Sequence, residues 1–350
     1  MRWRWPTRKN SSARNVRALL GSIAARLSNA PLLDAESRAD ARREARLLVA
    51  AVLDLTPGDV ARQLDRTLPL EQQERIAAAV ARRERGEPLA YCAGRAAFRA
   101  LVLSVDARVL IPRPETEIVV AEALRLTANN PGGIAVDIGT GSGAIALSLA
   151  TEGRFDRVIA TDVSSDALAV AAGNAASLVA DRGSRVANAP THAVASGGTT
   201  SGSDSGAGSI GGSVSSIVPR VEFRLGADLA PLGDIRARVI AANPPYISYA
   251  EAGALPASVR DWEPTVALFA ADDGMARYDA ILADAGYHLE PDGWLVLEVD
   301  STRAQLTADR AAARGFADVR LVRDLSGRER VLVARNSLRA RSDRSANCNE

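Results

Sequence analysis

Cysteine and histidine are nearly missing from this chain of 350 residues, with only two of each. Cys92 lies beside a strongly patterned segment and Cys348 in a polar tail, so no disulfide framework is expected and a reducing cytoplasm fits. His192 and His288 form no Cys/His cluster with ligand spacing, so no metal is expected. Aromatic residues make up 4% of the chain, lysine is scarce, and alanine and arginine are abundant, which reads as genomic base bias. Neither sign of charge dominates: 43 Lys and Arg stand against 42 Asp and Glu. The many surplus cations that sequence-independent nucleic-acid binding requires are therefore lacking, and no stable nucleic-acid partner is expected. No long uninterrupted apolar run suggests a membrane span. The basic start, with Trp3 and Trp5, has no apolar core of the kind a signal peptide carries, and residues 1–12 read as a disordered tail.

Organisation comes from periodicity. Residues 13–87 read as a small helical domain, with Val16, Leu19, Leu20, Ile23 and Leu27 at helical spacing and Pro57-Gly58 as a break. Residues 88–112 change character: Phe98, Leu101, Leu103 and Val105 alternate at period two. With Val109 to Ile111 they predict a β-hairpin linker. From 113 to 335, apolar strands alternate with helical patterns. This predicts an α/β domain with a doubly wound, mostly parallel, seven-stranded Rossmann-like sheet. Residues 183–218 are mostly Ser, Gly, Ala and Thr and have too little apolar surface to offset chain entropy, so they read as a disordered insertion. The chain from 336 to 350 reads as a disordered tail.

Two segments carry chemistry. Asp137-Ile138-Gly139-Thr140-Gly141-Ser142-Gly143 follows a strand and opens a helix, where glycines allow a sharp turn and close approach of a ligand. The same letters fit a dinucleotide fingerprint, with Asp162 about twenty residues on to bind a ribose. The loop alone leaves that alternative open. The placement of Asp137 favours a methyl donor, since a carboxylate repels a pyrophosphate and attracts the ammonium of a methionine moiety.

The apolar run Val239 to Ala242 leads into Asn243-Pro244-Pro245-Tyr246, at the strand end where ligands bind in open α/β sheets. An amide nitrogen is a poor nucleophile because its lone pair is delocalised. Two acceptors facing its N–H bonds, the Asn243 side-chain oxygen and the Pro244 carbonyl, can orient it and support developing positive charge. Tyr246 can press against the flat group and align it.

With these residues in hand, the chain resembles the HemK-type protein-(glutamine-N5) methyltransferases that modify peptide chain release factors. The likeness also rests on Glu87-Pro88-Leu89-Ala90-Tyr91 with Gly94, on Leu110-Ile111-Pro112-Arg113-Pro114-Glu115-Thr116-Glu117, and on Val259-Arg260-Asp261-Trp262-Glu263-Pro264. It implies S-adenosyl-L-methionine as cofactor and, as the reaction, methylation of the glutamine in a Gly-Gly-Gln motif. Asp137, Gly139, Thr140, Gly141, Ser142 and Gly143 would line the cofactor, Asp162 would take the ribose hydroxyls, and Asp228 and Leu229 would lie near the adenine. Asn243, Pro244 and Tyr246 would be catalytic, with Asn243 reaching the cofactor as well. Pro245, Arg113 and Glu115 would help bind the substrate. The resemblance implies a cytoplasmic monomer whose partner is a release factor. The Asn-Pro-Pro-Tyr motif alone is shared with enzymes that methylate nucleic-acid bases, and a sister group methylates a ribosomal protein glutamine. One departure stands out: the fifth core strand ends Leu297-Glu298-Val299-Asp300, where the family commonly has glycine at the last position.

Overall fold

The computed structural model describes residues 14–187 and 220–337. The N-terminal tail, most of the Ser/Gly-rich insertion and the end of the C-terminal tail thus lie outside the described residues.

Six helices open the chain: α1 (Val16–Ser28), α2 (Ala35–Ala39), α3 (Ala41–Leu53), α4 (Pro57–Arg62), α5 (Leu70–Glu84) and α6 (Leu89–Ala93). Local chemistry sets their ends. The Asn15 side chain accepts from the Ala18 N–H, and Thr56 and Asp59 form a reciprocal capping box around Pro57. Val16, Leu19, Ile23 and Leu27 face inward from α1 to meet Leu48 and Val49 of α3 and Ile76 and Val80 of α5. One buried ion pair crosses this core: Arg83 Nε lies 2.8 Å from Glu44 Oε2, and a second nitrogen donates to Ser37.

The hairpin that follows is shorter than the sequence predicts. Its arms are β1 (Arg95–Phe98) and β2 (Leu101–Ser104), paired antiparallel about Arg99 and Ala100. Val109 to Ile111 is not a strand. Its backbone groups go to a turn and to side chains instead: the Val109 N–H donates to the Asp106 carbonyl (3.1 Å), the Tyr91 hydroxyl donates to the Val109 carbonyl (2.6 Å), and the Ile111 N–H donates to Glu263 (3.2 Å).

The remaining elements are α7 (Thr116–Thr127), β3 (Ile134–Ile138), α8 (Ala144–Glu152), β4 (Arg157–Asp162), α9 (Ser165–Ala187), β5 (Arg220–Leu225), β6 (Ala237–Ala242), β7 (Ile247–Ser248), α10 (Ala257–Arg260), α11 (Thr265–Leu268), β8 (Phe269–Ala270), α12 (Ala276–His288), β9 (Leu289–Glu298), α13 (Ala304–Ala313), β10 (Phe316–Arg323) and β11 (Glu329–Asn336). Two ends differ from expectation. Helix α9 runs on to Ala187, into the segment read as the insertion, because a formed helix gains one hydrogen bond per added residue. Strand β11 reaches Asn336, which is buried rather than the start of a tail.

Seven strands form one sheet in the order β10-β11-β9-β6-β3-β4-β5. The pairs from β9 to β5 are parallel, and β11 is antiparallel to both its neighbours. Alternate strand residues serve two cores, as the pleat requires. Val136, Ile240 and Leu295 pack with Tyr278, Ile281 and Leu282 of α12, whereas Ala135, Val239 and Val296 pack with Val119 and Val120 of α7 and Leu149 of α8. The chain enters at β3, winds outward through β4 and β5, then crosses to β6 on the other side. The carboxyl ends of β3 and β6 therefore flank the topological switch point, where open α/β sheets bind ligands.

Candidate active site

The glycine loop leaves β3 at this switch point. Gly139 has φ of +67°, and a Cβ built there would meet nothing within 4 Å, so its open side is the cleft. Gly143 also has positive φ, but its side is filled: a Cβ would lie 3.0 Å from Leu147 and 3.3 Å from Ala171. The loop's N–H groups are largely committed within the chain. Thr140 donates to the Thr161 carbonyl (2.9 Å), Gly143 to the Thr140 carbonyl (2.8 Å) and Gly141 to Asp162 Oδ2 (2.9 Å). The other Asp162 oxygen accepts from the Ser164 N–H at 2.9 Å. A carboxylate thus stands on the loop where a dinucleotide would need free donors for its pyrophosphate, which weighs against the dinucleotide alternative.

Asp137 is fully buried. Its Oδ2 accepts from Thr140 Oγ1 (2.7 Å) and the Ala146 N–H (3.0 Å), and so ties the loop to the first turn of α8. Its Oδ1 has no partner among the described residues, and burial pushes the carboxyl up to about 7. Asn174 braces the loop from outside: its amide donates to the Ser142 carbonyl (2.9 Å) and the Ser104 carbonyl (3.0 Å), and its oxygen accepts from the Ser104 N–H (2.8 Å).

Two clefts adjoin here. The first is lined by Gly139, Gly141, Asp162, Val163, Gly226 and Asp228, with apolar walls from Val109, Leu110, Pro264 and Val266. The second is lined by Arg113, Glu115, Tyr246, Ile247, Glu298, Arg328 and Arg330. They share Leu110, Asn243, Pro245 and Ala267, so Asn243 stands at the junction. Pro244 lines the first cleft only. Of the predicted site residues, Asp137, Thr140, Ser142, Gly143 and Leu229 line neither cleft. Leu229 is a core residue, and the others shape the loop. Asp228 faces the first cleft and pairs with Arg277 (3.1 Å).

Several residues at the site carry no sequence signal of their own. Asn243 Nδ2 donates to Thr116 Oγ1 (3.1 Å), Thr116 donates to Glu298 Oε2 (2.5 Å), and the Tyr246 hydroxyl donates to Glu298 Oε1 (3.4 Å). Burial pushes the Glu298 carboxyl up to about 7 and the Tyr246 phenol upward as well. Arg113 is held by Glu263 (2.5 Å), whose side chain is 1% exposed and which also accepts from Ile111 N–H. Glu263 thereby fixes the loop that separates the two clefts. Asp300 departs from the expected glycine without strain. It has no positive φ and accepts from the Thr302 N–H (2.9 Å) and Arg303 (3.2 Å) in an ordinary turn.

A mostly parallel sheet of this order, a glycine loop at its switch point and a second cleft meeting the first at Asn243 define a methyltransferase domain of the Rossmann-like class. Residues 23–94 match the family described as the PrmC N-terminal domain. The release factor glutamine methyltransferase of Cereibacter sphaeroides is 34% identical over 305 residues, covering 87% of this chain and 95% of that protein. Its counterpart from Pseudomonas aeruginosa is 33% identical over 312 residues, covering 89% and 98%. A solved release factor-specific protein-(glutamine-N5) methyltransferase from Alicyclobacillus acidocaldarius is 26% identical, covering 65% of this chain and 95% of that one, with a TM-score of 0.34. The chain belongs to the release factor glutamine methyltransferase family.

Among the described residues no helix is long and apolar enough to cross a membrane.

Proposed function

We propose that this chain transfers the methyl group of S-adenosyl-L-methionine to the side-chain nitrogen of the glutamine in the Gly-Gly-Gln motif of peptide chain release factors, acting in the cytoplasm as a monomer. The observation that carries this reading is Asn243 at the junction of the two clefts, its Nδ2 already engaged by Thr116.

The first cleft fits the donor. The open side of Gly139 leaves room for close backbone approach, and Asp162 keeps further acceptor capacity for the ribose hydroxyls after its two backbone bonds. The apolar walls at Val109, Leu110, Pro264 and Val266 suit a flat base, with Asp228 at its edge. Asp137 lines neither cleft and serves the donor indirectly, by holding the loop through Thr140 and Ala146. When bound, the donor supplies an electrophilic methyl group carried on a sulfonium.

The chain's own residues do the rest. Asn243 Oδ1, for which no described residue is a donor, accepts one N–H of the glutamine amide, and the Pro244 carbonyl accepts the other. Both support the positive charge that grows on nitrogen as it is alkylated. Tyr246 lines the second cleft, and its hydroxyl is held by Glu298, so its ring is fixed where the amide must lie flat. Arg113, Glu115 and Pro245 form the approach. No strong base is required, because an alkylated amide nitrogen loses its proton to water.

A purified release factor incubated with the donor should gain the mass of one methyl group on the glutamine of Gly-Gly-Gln. Transfer to adenine in DNA with none to that glutamine would overturn the reading. The donor assignment has its own test. Asp162→Ala removes the acceptor of the Gly141 N–H and the predicted ribose contact together, and should weaken donor affinity about 10- to 100-fold by calorimetry, the scale of a lost charge-assisted hydrogen bond. Unchanged affinity would place the ribose elsewhere.

A further inference from the structure

Asn243 can help an amide nitrogen only if its oxygen, not its NH2 group, faces the substrate. The two are nearly equal in shape, so something must choose between them. The choice is visible in the neighbouring bonds. Thr116 is 5% exposed, its hydroxyl has one proton, and its Oγ1 lies 2.5 Å from Glu298 Oε2. An ionised carboxylate can only accept, so the Thr116 proton is committed to it. The Thr116 oxygen is then left with lone pairs, and what faces it from Asn243 at 3.1 Å must be the NH2 group. The amide oxygen is thereby turned the other way.

We propose that Glu298, acting through Thr116, is the positioning residue that sets the polarity of the Asn243 amide, so that methyl transfer requires Glu298 in its ionised form. The proposal rests on the reading of Asn243 as the acceptor for the substrate amide. Glu298 is not itself placed as a base: its two oxygens are taken by Thr116 and Tyr246, and it is 2% exposed.

Protonation reverses the chain. A neutral Glu298 can donate to Thr116, which frees the Thr116 proton for Asn243. The amide then gains by rotating, and NH2 faces the NH2 of the substrate. The groups around Glu298 are Glu115 and Thr116 at the start of α7, Tyr246 after β6, Tyr278 of α12 and Arg330 of β11. Burial is the largest influence and raises the carboxyl to about 7, Glu115 pushes the same way, and the Thr116 hydrogen bond, Arg330 and the Tyr246 hydrogen bond oppose them. Ionisation is therefore lost as pH falls through about 7, and turnover should fall with it.

The test is steady-state methylation of a release factor between pH 5.5 and 9, with donor affinity measured alongside as a check on folding. The wild-type protein should lose turnover on the acid side of about pH 7. Glu298→Gln can turn either its amide oxygen or its NH2 group to Thr116 but does not titrate, so whatever its plateau rate its acid-side fall should vanish. Thr116→Val should lower kcat about 10- to 100-fold at every pH, with KM and donor affinity changed less than about threefold, and Thr116→Ser should recover most of the loss. An acid-side fall that persists in Glu298→Gln would assign it to another group, Asp137 being the nearest in pKa, and would overturn the proposal. Equal kcat in Thr116→Val and wild type would overturn it too. Absence of release-factor methylation by the wild-type protein would instead count against the function proposed above, whatever these variants did.

Discussion

Asn243→Ala should reduce methyl transfer by about 10²- to 10³-fold while leaving donor affinity within about threefold, as expected when one preorganised partner of a developing charge is lost. The asymmetry follows from where the residue stands. Asn243 lines both clefts, but its side-chain hydrogen bond is to Thr116, next to Glu115 of the second cleft. The other contacts proposed for the donor come from elements that do not depend on it: the loop held by Asp137 and Asn174, the Asp162 carboxylate at the end of β4, and the wall at Val109 and Leu110. Loss should therefore appear in kcat with saturating donor. A large fall in donor affinity, measured by calorimetry on the same variant, would mean that Asn243 serves chiefly the first cleft.

Gly274→Ala should be nearly as damaging, although the residue touches neither cleft. Gly274 has φ of +86°, and a Cβ there would stand 2.1 Å from the Tyr246 carbonyl oxygen and 2.6 Å from Arg303 Nε. Arg303 is itself committed to the Asp273 carbonyl (2.6 Å) and Glu251 (2.7 Å), and can withdraw only by giving up both. Tyr246 is followed directly by β7, which is paired with β8 through Ile247 and Phe269. The carbonyl must therefore move, and the Asn-Pro-Pro-Tyr segment with it. The backbone conformation adds about 1 kcal/mol for any L side chain, and the overlap costs more than that. The expected result is a melting temperature lower by several degrees and a kcat lower by at least tenfold, since displacements of about 1 Å cost on that order. Wild-type kcat in this variant would show that the segment after β6 adjusts freely.

The architecture was legible because it is written in local periodicity. Apolar patterns from Ile134 onward correspond to the seven strands of the main sheet and to helices α8, α9, α12 and α13, and loop and tetrapeptide fall where strand ends put them; the short β7, β8, α10 and α11 have too few residues to show a period. What escaped was pairing across long separations. Thr116 and Glu298 are 182 residues apart in the chain, Ile111 and Glu263 are 152, and Ser104 and Asn174 are 70. No spacing rule connects them, and each looks like an ordinary polar residue at a helix start, a strand end or mid-helix. Ile111, Thr116, Glu263 and Glu298 do sit inside segments compared with the family, but nothing in those segments says that they meet. The mistaken third piece of the hairpin has the same origin. Val109-Leu110-Ile111 is as apolar as a strand, but its backbone partners, Tyr91 and Glu263, come from a helix before it and a segment far after it.

The Tyr91 hydroxyl, seated on the Val109 carbonyl at 2.6 Å, changes what counts as a separable part of this protein. Val109 is a wall of the first cleft, and Tyr91 belongs to the last helix of the N-terminal bundle. A polypeptide begun at residue 113 would contain the glycine loop and the tetrapeptide, yet it would lack Val109 and Leu110 of that wall, along with the hairpin that Asn174 grips. The bundle is thus not an adaptor bolted to a self-sufficient enzyme. Recombination between relatives, natural or in the laboratory, has to carry residues from Tyr91 onward as one inheritance if the catalytic half is to keep its binding site.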